Sequence, residues 1–150
     1  MGASIERQTA DRKKTKKQRR QAHFKNGLNN NSFIALRHDL MGSDEFKKLS
    51  GNAVKVFIIL IGGYNGYNNG NLEAVQTHKE AINRFGISKA TLHKALKELV
   101  DNQFLEITRQ GHKNQCSLYS ATCFPNHCRN GVHLIQPQSR PSDKWKKANQ

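Results

Sequence analysis

Residues 77–102 constrain this chain more than any other stretch. Thr77 is followed three residues later by Glu80, the spacing of a capping box, in which each side chain satisfies a backbone N–H at a helix start. Ala81, Ile82 and Phe85 are the expected inner face of that helix. Gly86 then offers the left-handed conformation that ends a helix. Ile87 plugs the turn, and Ser88 caps a second helix that runs to about Asn102. Its apolar residues Leu92, Ala95, Leu96, Leu99 and Val100 recur at helical spacing and form one inward stripe. The opposite face carries Ala90, Lys94 and Lys97, flanked by Lys89, Thr91 and His93.

Upstream, Ser43 with Asp44 and Glu45 marks the start of a short helix ending near Leu49, since acids favour the positive end of the helix dipole. Ser50 caps a helix predicted over Gly51–Ile61, preferred for its cap and length although the β-branched content of the segment would also suit a strand. Only Lys55 breaks its apolar run after Ala53, so the helix is expected in the centre of the core. Residues 62–71 (GGYNGYNNGN) tolerate positive φ and predict a chain reversal. They lack the Gly-Lys-Ser/Thr and Gly-x-Gly-x-x-Gly patterns of nucleotide loops.

Downstream, residues 104–109 and 116–121 read as strands around the polar loop 110–115, a β-hairpin. Two helices joined by a three-residue glycine turn have helix-turn-helix geometry, although an ordinary αα-corner has the same pattern. In that geometry the second helix fits the DNA major groove, and Ser88, Lys89, Ala90, Thr91 and His93 at its start face base edges. Lys94 and Lys97 face phosphates. The hairpin brings Arg109, His112 and Lys113 to a neighbouring phosphate or the minor groove.

The stretch GISKATLHKALKELVDNQFLEITRQG resembles the recognition helix and wing of winged helix-turn-helix proteins from bacteria and their phages. The resemblance rests on Gly86-Ile87-Ser88, Lys89-Ala90-Thr91, the Ala95-Leu96-Lys97-Glu98-Leu99 core and Phe104, and covers about residues 33–122. FIALRHDLM and YNGYNNGN are similar to segments of small winged-helix proteins carried by phages and integrating elements. There are two departures. Ala81-Ile82 stands where the family often has Leu-Ala, with Ile82 expected to face the second helix, and Gln103 precedes Phe104 where the family prefers glycine. The implied fold is mainly α with a small β-hairpin wing, flanked by basic tails.

Charge points the same way. Lys and Arg number 25 against 11 Asp and Glu, a net charge of +14. Residues 1–25 hold nine basic and two acidic residues, residues 26–110 ten and eight, and residues 111–150 six and one. The excess therefore sits at the ends and suggests a polyanionic partner. Residues 1–31 read as a disordered basic arm, with Arg12, Lys13, Lys14, Lys16, Lys17, Arg19 and Arg20 placed to neutralise phosphates. Residues 32–122 are the expected domain. Residues 123–150 read as a tail partly laid on it, with Trp145 either docked as an anchor or stacked on a base, docking being the more ordinary fate.

Other chemistry is poorly supplied. No apolar run is long enough to span a bilayer, no secretory signal is visible, and three cysteines do not make a disulfide framework. A cytoplasmic, nucleoid-associated protein is the expectation. Cys116, Cys123, Cys128, His127 and His133 are close in sequence, but their spacing is irregular and lacks a Cys-x-x-Cys pair. Cys116 falls in a predicted strand. No metal, no cofactor and no catalysis are expected, because the acids are few and nothing orients a nucleophile. The reading is a sequence-specific double-stranded DNA-binding protein that regulates transcription, with a homodimer left open. The alternatives are a replication or excision factor using the same domain, and an RNA-binding protein using the arm.

Overall fold

The computed structural model describes residues 32–64, 68–75, 77–113, 115–127 and 135–147. The chain divides into two units, residues 1–33 and 34–150. The basic arm, with Arg12, Lys13, Lys14, Lys16, Lys17, Arg19 and Arg20, lies outside the described residues, as do Cys128 and His133.

Among the described residues the second unit holds five α-helices and a small antiparallel sheet, a mainly α fold. The helices are α1 (His38–Met41), α2 (Asp44–Lys48), α3 (Gly51–Ile61), α4 (His78–Phe85) and α5 (Lys89–Asp101). The strands are β1 (Leu72–Glu73), β2 (Leu105–Arg109) and β3 (Leu118–Ala121), and a 3-10 turn spans Lys144–Lys147.

The helix starts follow from their caps. The Ser43 hydroxyl accepts from the Phe46 N–H and the Ser50 hydroxyl from the Ala53 N–H. Thr77 and Glu80 form the complete reciprocal capping box. Gly86 adopts φ 64°, the left-handed conformation that closes α4, and only two residues separate it from Lys89 at the start of α5.

The far end of α5 departs from the usual composition. Gln103 takes φ 60°, its N–H bonds to Val100 O at 2.9 Å, and the Phe104 N–H bonds to Leu99 O at 2.9 Å. This is the Schellman pattern, with glutamine where glycine is ordinarily found. The substitution at this position keeps the backbone bend and accepts its strain.

α3 packs mainly on α5, and Ala53, Val56, Phe57, Leu60 and Ile61 are buried. Phe46, Phe57 and Phe104 meet edge to face at 5.9–6.3 Å between ring centroids. Trp145, 1% exposed, stacks on Phe104 at 5.9 Å and 8°. Two core expectations are corrected. Ile82 is 48% exposed and does not face α5, because an eight-residue helix with Ala81 and Phe85 already buried has only a narrow inner face. Ile58 is 41% exposed, so α3 is not buried all round.

The sheet order is β1-β3-β2, with β3 central and buried at all four positions. β1 is a third strand that sequence periodicity does not reveal, since two residues show no period. Leu105 pairs with Ala121 and Ile107 with Tyr119, but Arg109 pairs with Leu118. The one-residue shift leaves Thr108 as a bulge, its hydroxyl donating to Gly70 O.

The C-terminal segment is strapped to the start of the unit. Arg37 Nη1 and Nη2 grip the Asp143 carboxylate at 2.6 and 2.8 Å, and Arg37 also binds Asp39. Lys146 reaches Asp39 at 2.9 Å and Asp143 at 3.3 Å. The Arg37 hydrogen bonds hold the Asp39 carboxyl well below the usual carboxylate range. No helix among the described residues is long and apolar enough to cross a membrane.

Candidate nucleic-acid interface

α5 presents its residues in three directions. Leu92, Ala95, Leu96 and Leu99 are buried, and Val100 is half-buried. Ala90, Lys94 and Lys97 share an exposed face, at the positions expected from helical spacing. Lys89, half-buried, and His93, exposed, turn toward the β2–β3 hairpin and line a groove of about 480 Å³ with it.

The hairpin is held by its turn. His112 N–H and O bond Gln115 O and N–H at 3.1 and 2.9 Å. Gly111 N–H donates to Ser117 Oγ at 2.9 Å, and a Cβ at Gly111 would lie 2.6 Å from Ser117 N. Glycine is therefore needed for this close approach. His112 and Lys113 are exposed at the tip and line the same groove as Lys89 and His93. Arg109 is also exposed, but its Nη2 donates to Cys116 O at 3.3 Å and it does not line the groove.

The candidate residues are not equivalent. The Ser88 hydroxyl accepts from the Thr91 N–H at 3.2 Å and lies 2.9 Å from the Thr91 hydroxyl. Both are engaged in capping α5, and Thr91 is half-buried. Lys97 pairs with Asp101 at 2.6 Å, one turn on. Lys89, Lys94 and Lys113 enter no ion pair among the described residues. The acids of the neighbourhood are largely committed. Glu98 Oε1 and Oε2 accept from the Ser50 N–H and hydroxyl, both at 2.7 Å, so the α5 carboxylate caps α3. No Asp or Glu lines the groove among the described residues.

Three contributors escape a one-dimensional reading. The Glu98–Ser50 pair spans 48 residues of sequence. Asn68, 1% exposed, pins the loop after α3 to β3 by donating to Ala121 O at 2.9 Å and accepting from the Ala121 N–H at 3.2 Å. The asparagine-rich composition of 62–71 signals a turn but not this buried bond pair. Lys55, the one charge in α3, brings its Nζ to 3.1 Å from where a Gly86 Cβ would sit, beside the α4–α5 turn.

Cys116 precedes β3 rather than lying in it, because the bulge shortens the pairing, and it is half-buried on the groove. Cys123 is buried, and burial pushes its thiol up to about 12, which disfavours the thiolate a metal needs. His127 Nδ1 accepts from the Asn68 N–H at 3.2 Å. No group of three or more His, Cys, Asp or Glu is placed to hold a metal ion among the described residues.

No family model, no curated protein and no solved structure matches the chain.

Proposed function

We propose that the protein is a sequence-specific double-stranded DNA-binding protein of winged helix-turn-helix type that regulates transcription. α5 enters the major groove by its N-terminal half, and the hairpin acts as the wing on flanking phosphate. One observation carries this reading: Lys89 of α5 and Lys113 of the hairpin line one groove, Lys94 stands on the adjoining exposed face of α5, and among the described residues none of the three enters an ion pair and no Asp or Glu lines the groove. Cations without an ion pair on a helix of major-groove width suit a polyanion with a groove. Ala90, His93 and Lys89 are the residues offered to base edges, and Lys94, Lys97 and Lys113 serve phosphates. The arm's Arg12–Arg20 cations add sequence-independent affinity.

Selection of bound sites from random duplex DNA, with structured RNA as competitor, tests this. A shared motif recovered from the duplex pool, with RNA a poor competitor, is the expected result. Enrichment of no motif, or RNA competing as well as duplex, contradicts it.

A further inference from the structure

α5 and the hairpin meet at one joint, and the C-terminal segment closes it. α5 ends at Asp101 and β2 starts at Leu105. Thr122, just after β3 and 2% exposed, lies against the connection between them. Its hydroxyl donates to Gln103 O at 2.8 Å and its N–H to Phe104 O at 3.1 Å. Its C=O accepts from the Asp143 N–H at 3.0 Å. Gln103 and Asp143, with φ of 60° and 46°, are the two non-glycine residues of positive φ among the described residues. Backbone in that region persists only where its surroundings hold it, and Thr122 bonds both. Trp145 stacks on Phe104, and Lys144 binds Glu106 of β2. We propose that Thr122, with Asp143, Lys144 and Trp145, forms a positioning joint that fixes the tilt of the wing against α5 and so brings Lys113 to its phosphate, a role that rests on the duplex-binding reading.

The hairpin needs such a hold because its tip does not pack on α5. A groove of about 480 Å³ lies between α5 and residues 110–113. β1 pairs with Leu118 and Tyr119 and steadies β3 from its far side. β2 is the other edge of the sheet, and there Lys144 supplies the hold. Five residues of β2, at about 3.3 Å each, make a lever of about 16 Å. A tilt of about 10° at the joint then moves the tip by about 3 Å, the length of a hydrogen bond. That breaks a phosphate contact at Lys113 while α5 stays in place, because α5 has separate support: it packs on α3, and Glu98 caps α3 at 2.7 Å. Lys144 is engaged by Glu106, and Lys146 by Asp39 and Asp143. These lysines of the segment face carboxylates of the chain, which suits positioning rather than contact with DNA.

The test is a double-mutant cycle on the full chain with its selected duplex, read as the slope of log affinity against log salt. Thr122→Val keeps the shape of the side chain and removes the hydroxyl, whereas Thr122→Ser keeps the hydroxyl. Lys113→Ala is expected to lower the slope by about 1 in the wild type and in Thr122→Ser, and to leave it unchanged in Thr122→Val, where the contact is already gone. Lys94→Ala lowers it by about 1 in every background, because α5 stays seated. Trp145 is the only tryptophan, so its emission reports in the same samples that the joint is folded. Lys144→Ala cuts the exposed link to Glu106 without removing a buried group, and reduces the Lys113 contribution in the same direction. A full Lys113 contribution in both Thr122→Val and Lys144→Ala overturns the joint and leaves duplex binding standing. No duplex binding by the wild type overturns the duplex reading and the positioning role with it.

Discussion

Two charged regions of this molecule are built on opposite terms. Around the C-terminal strap, cations have partners: Arg37 holds Asp39 and Asp143, Lys146 reaches the same two carboxylates, and Lys144 binds Glu106. Around the α5–hairpin groove and on the adjoining face of α5, Lys89, Lys113 and Lys94 have no ion pair among the described residues, and Glu98 of α5 is committed to capping α3. The first arrangement spends its charge inside the chain, where it closes the C-terminal segment onto the start of the unit. The second leaves charge open, which is costly in self-repulsion unless a polyanion meets it. The comparison separates residues that hold the fold from residues offered to a partner, and each side can be attacked separately.

The largest effect is expected on the strap. Trp145→Ala removes a ring that is 1% exposed and stacked on Phe104, and is expected to destabilise by about 3–5 kcal/mol. Urea unfolding measures it. A loss under 1 kcal/mol, on the order expected of an ordinary surface substitution, would place the tryptophan outside the core.

The groove side predicts the reverse pattern. Lys94→Ala and Lys113→Ala combined leave the unfolding midpoint unchanged but reduce the slope of log affinity against log salt by about 2, one for each phosphate contact. Lys97→Ala alone changes the slope less than Lys94→Ala alone, because Lys97 is shared with Asp101 at 2.6 Å. Equal losses for the two would mean that this ion pair opens freely on binding.

Gln103 gives a smaller, stabilising change. Its φ of 60° suits glycine, so Gln103→Gly is expected to raise stability by about 1 kcal/mol without altering duplex affinity. A destabilised variant would show that the glutamine side chain contributes more than the strain it tolerates.

The smallest effect is a pH dependence of the strap. The folded-state pKa of Asp39 is depressed by Arg37 and then Lys146, so its contribution is fully present above the ordinary carboxylate value, about 3.9. It is lost as pH falls below that value toward the folded one. Asp39→Asn should flatten the acid limb of stability between pH 4 and pH 2, read from urea midpoints. An acid limb identical to wild type would show that the exposed pair does not contribute.

Much of this was legible in the sequence, for local reasons. Ser43, Ser50, Thr77 and Ser88 each cap the helix they precede, and Gly86 takes the left-handed turn, because these preferences depend on a few neighbouring residues. The Leu92/Ala95/Leu96/Leu99 stripe is buried as its spacing requires. Ile82 was misread because hydrophobicity alone does not say which side of a short helix meets the core. β1, the Arg37–Asp143 grip and the Glu98–Ser50 pair join residues far apart in the chain, and no local pattern records them. In the candidate site, spacing was enough to place Lys94 and Lys97 outward. That Thr91 is engaged with Ser88, and that His93 and His112 share one groove, required the third dimension.

The central claim is that α5 reads the major groove. Methylation interference on the selected duplex tests it most directly, because dimethyl sulfate marks guanine N7 in the major groove and adenine N3 in the minor groove. Binding blocked by N7 methylation at a few adjacent guanines, with one of those positions relieved in His93→Ala or Lys89→Ala, is the result this account predicts. Interference confined to adenine N3, or none at any base, would contradict it.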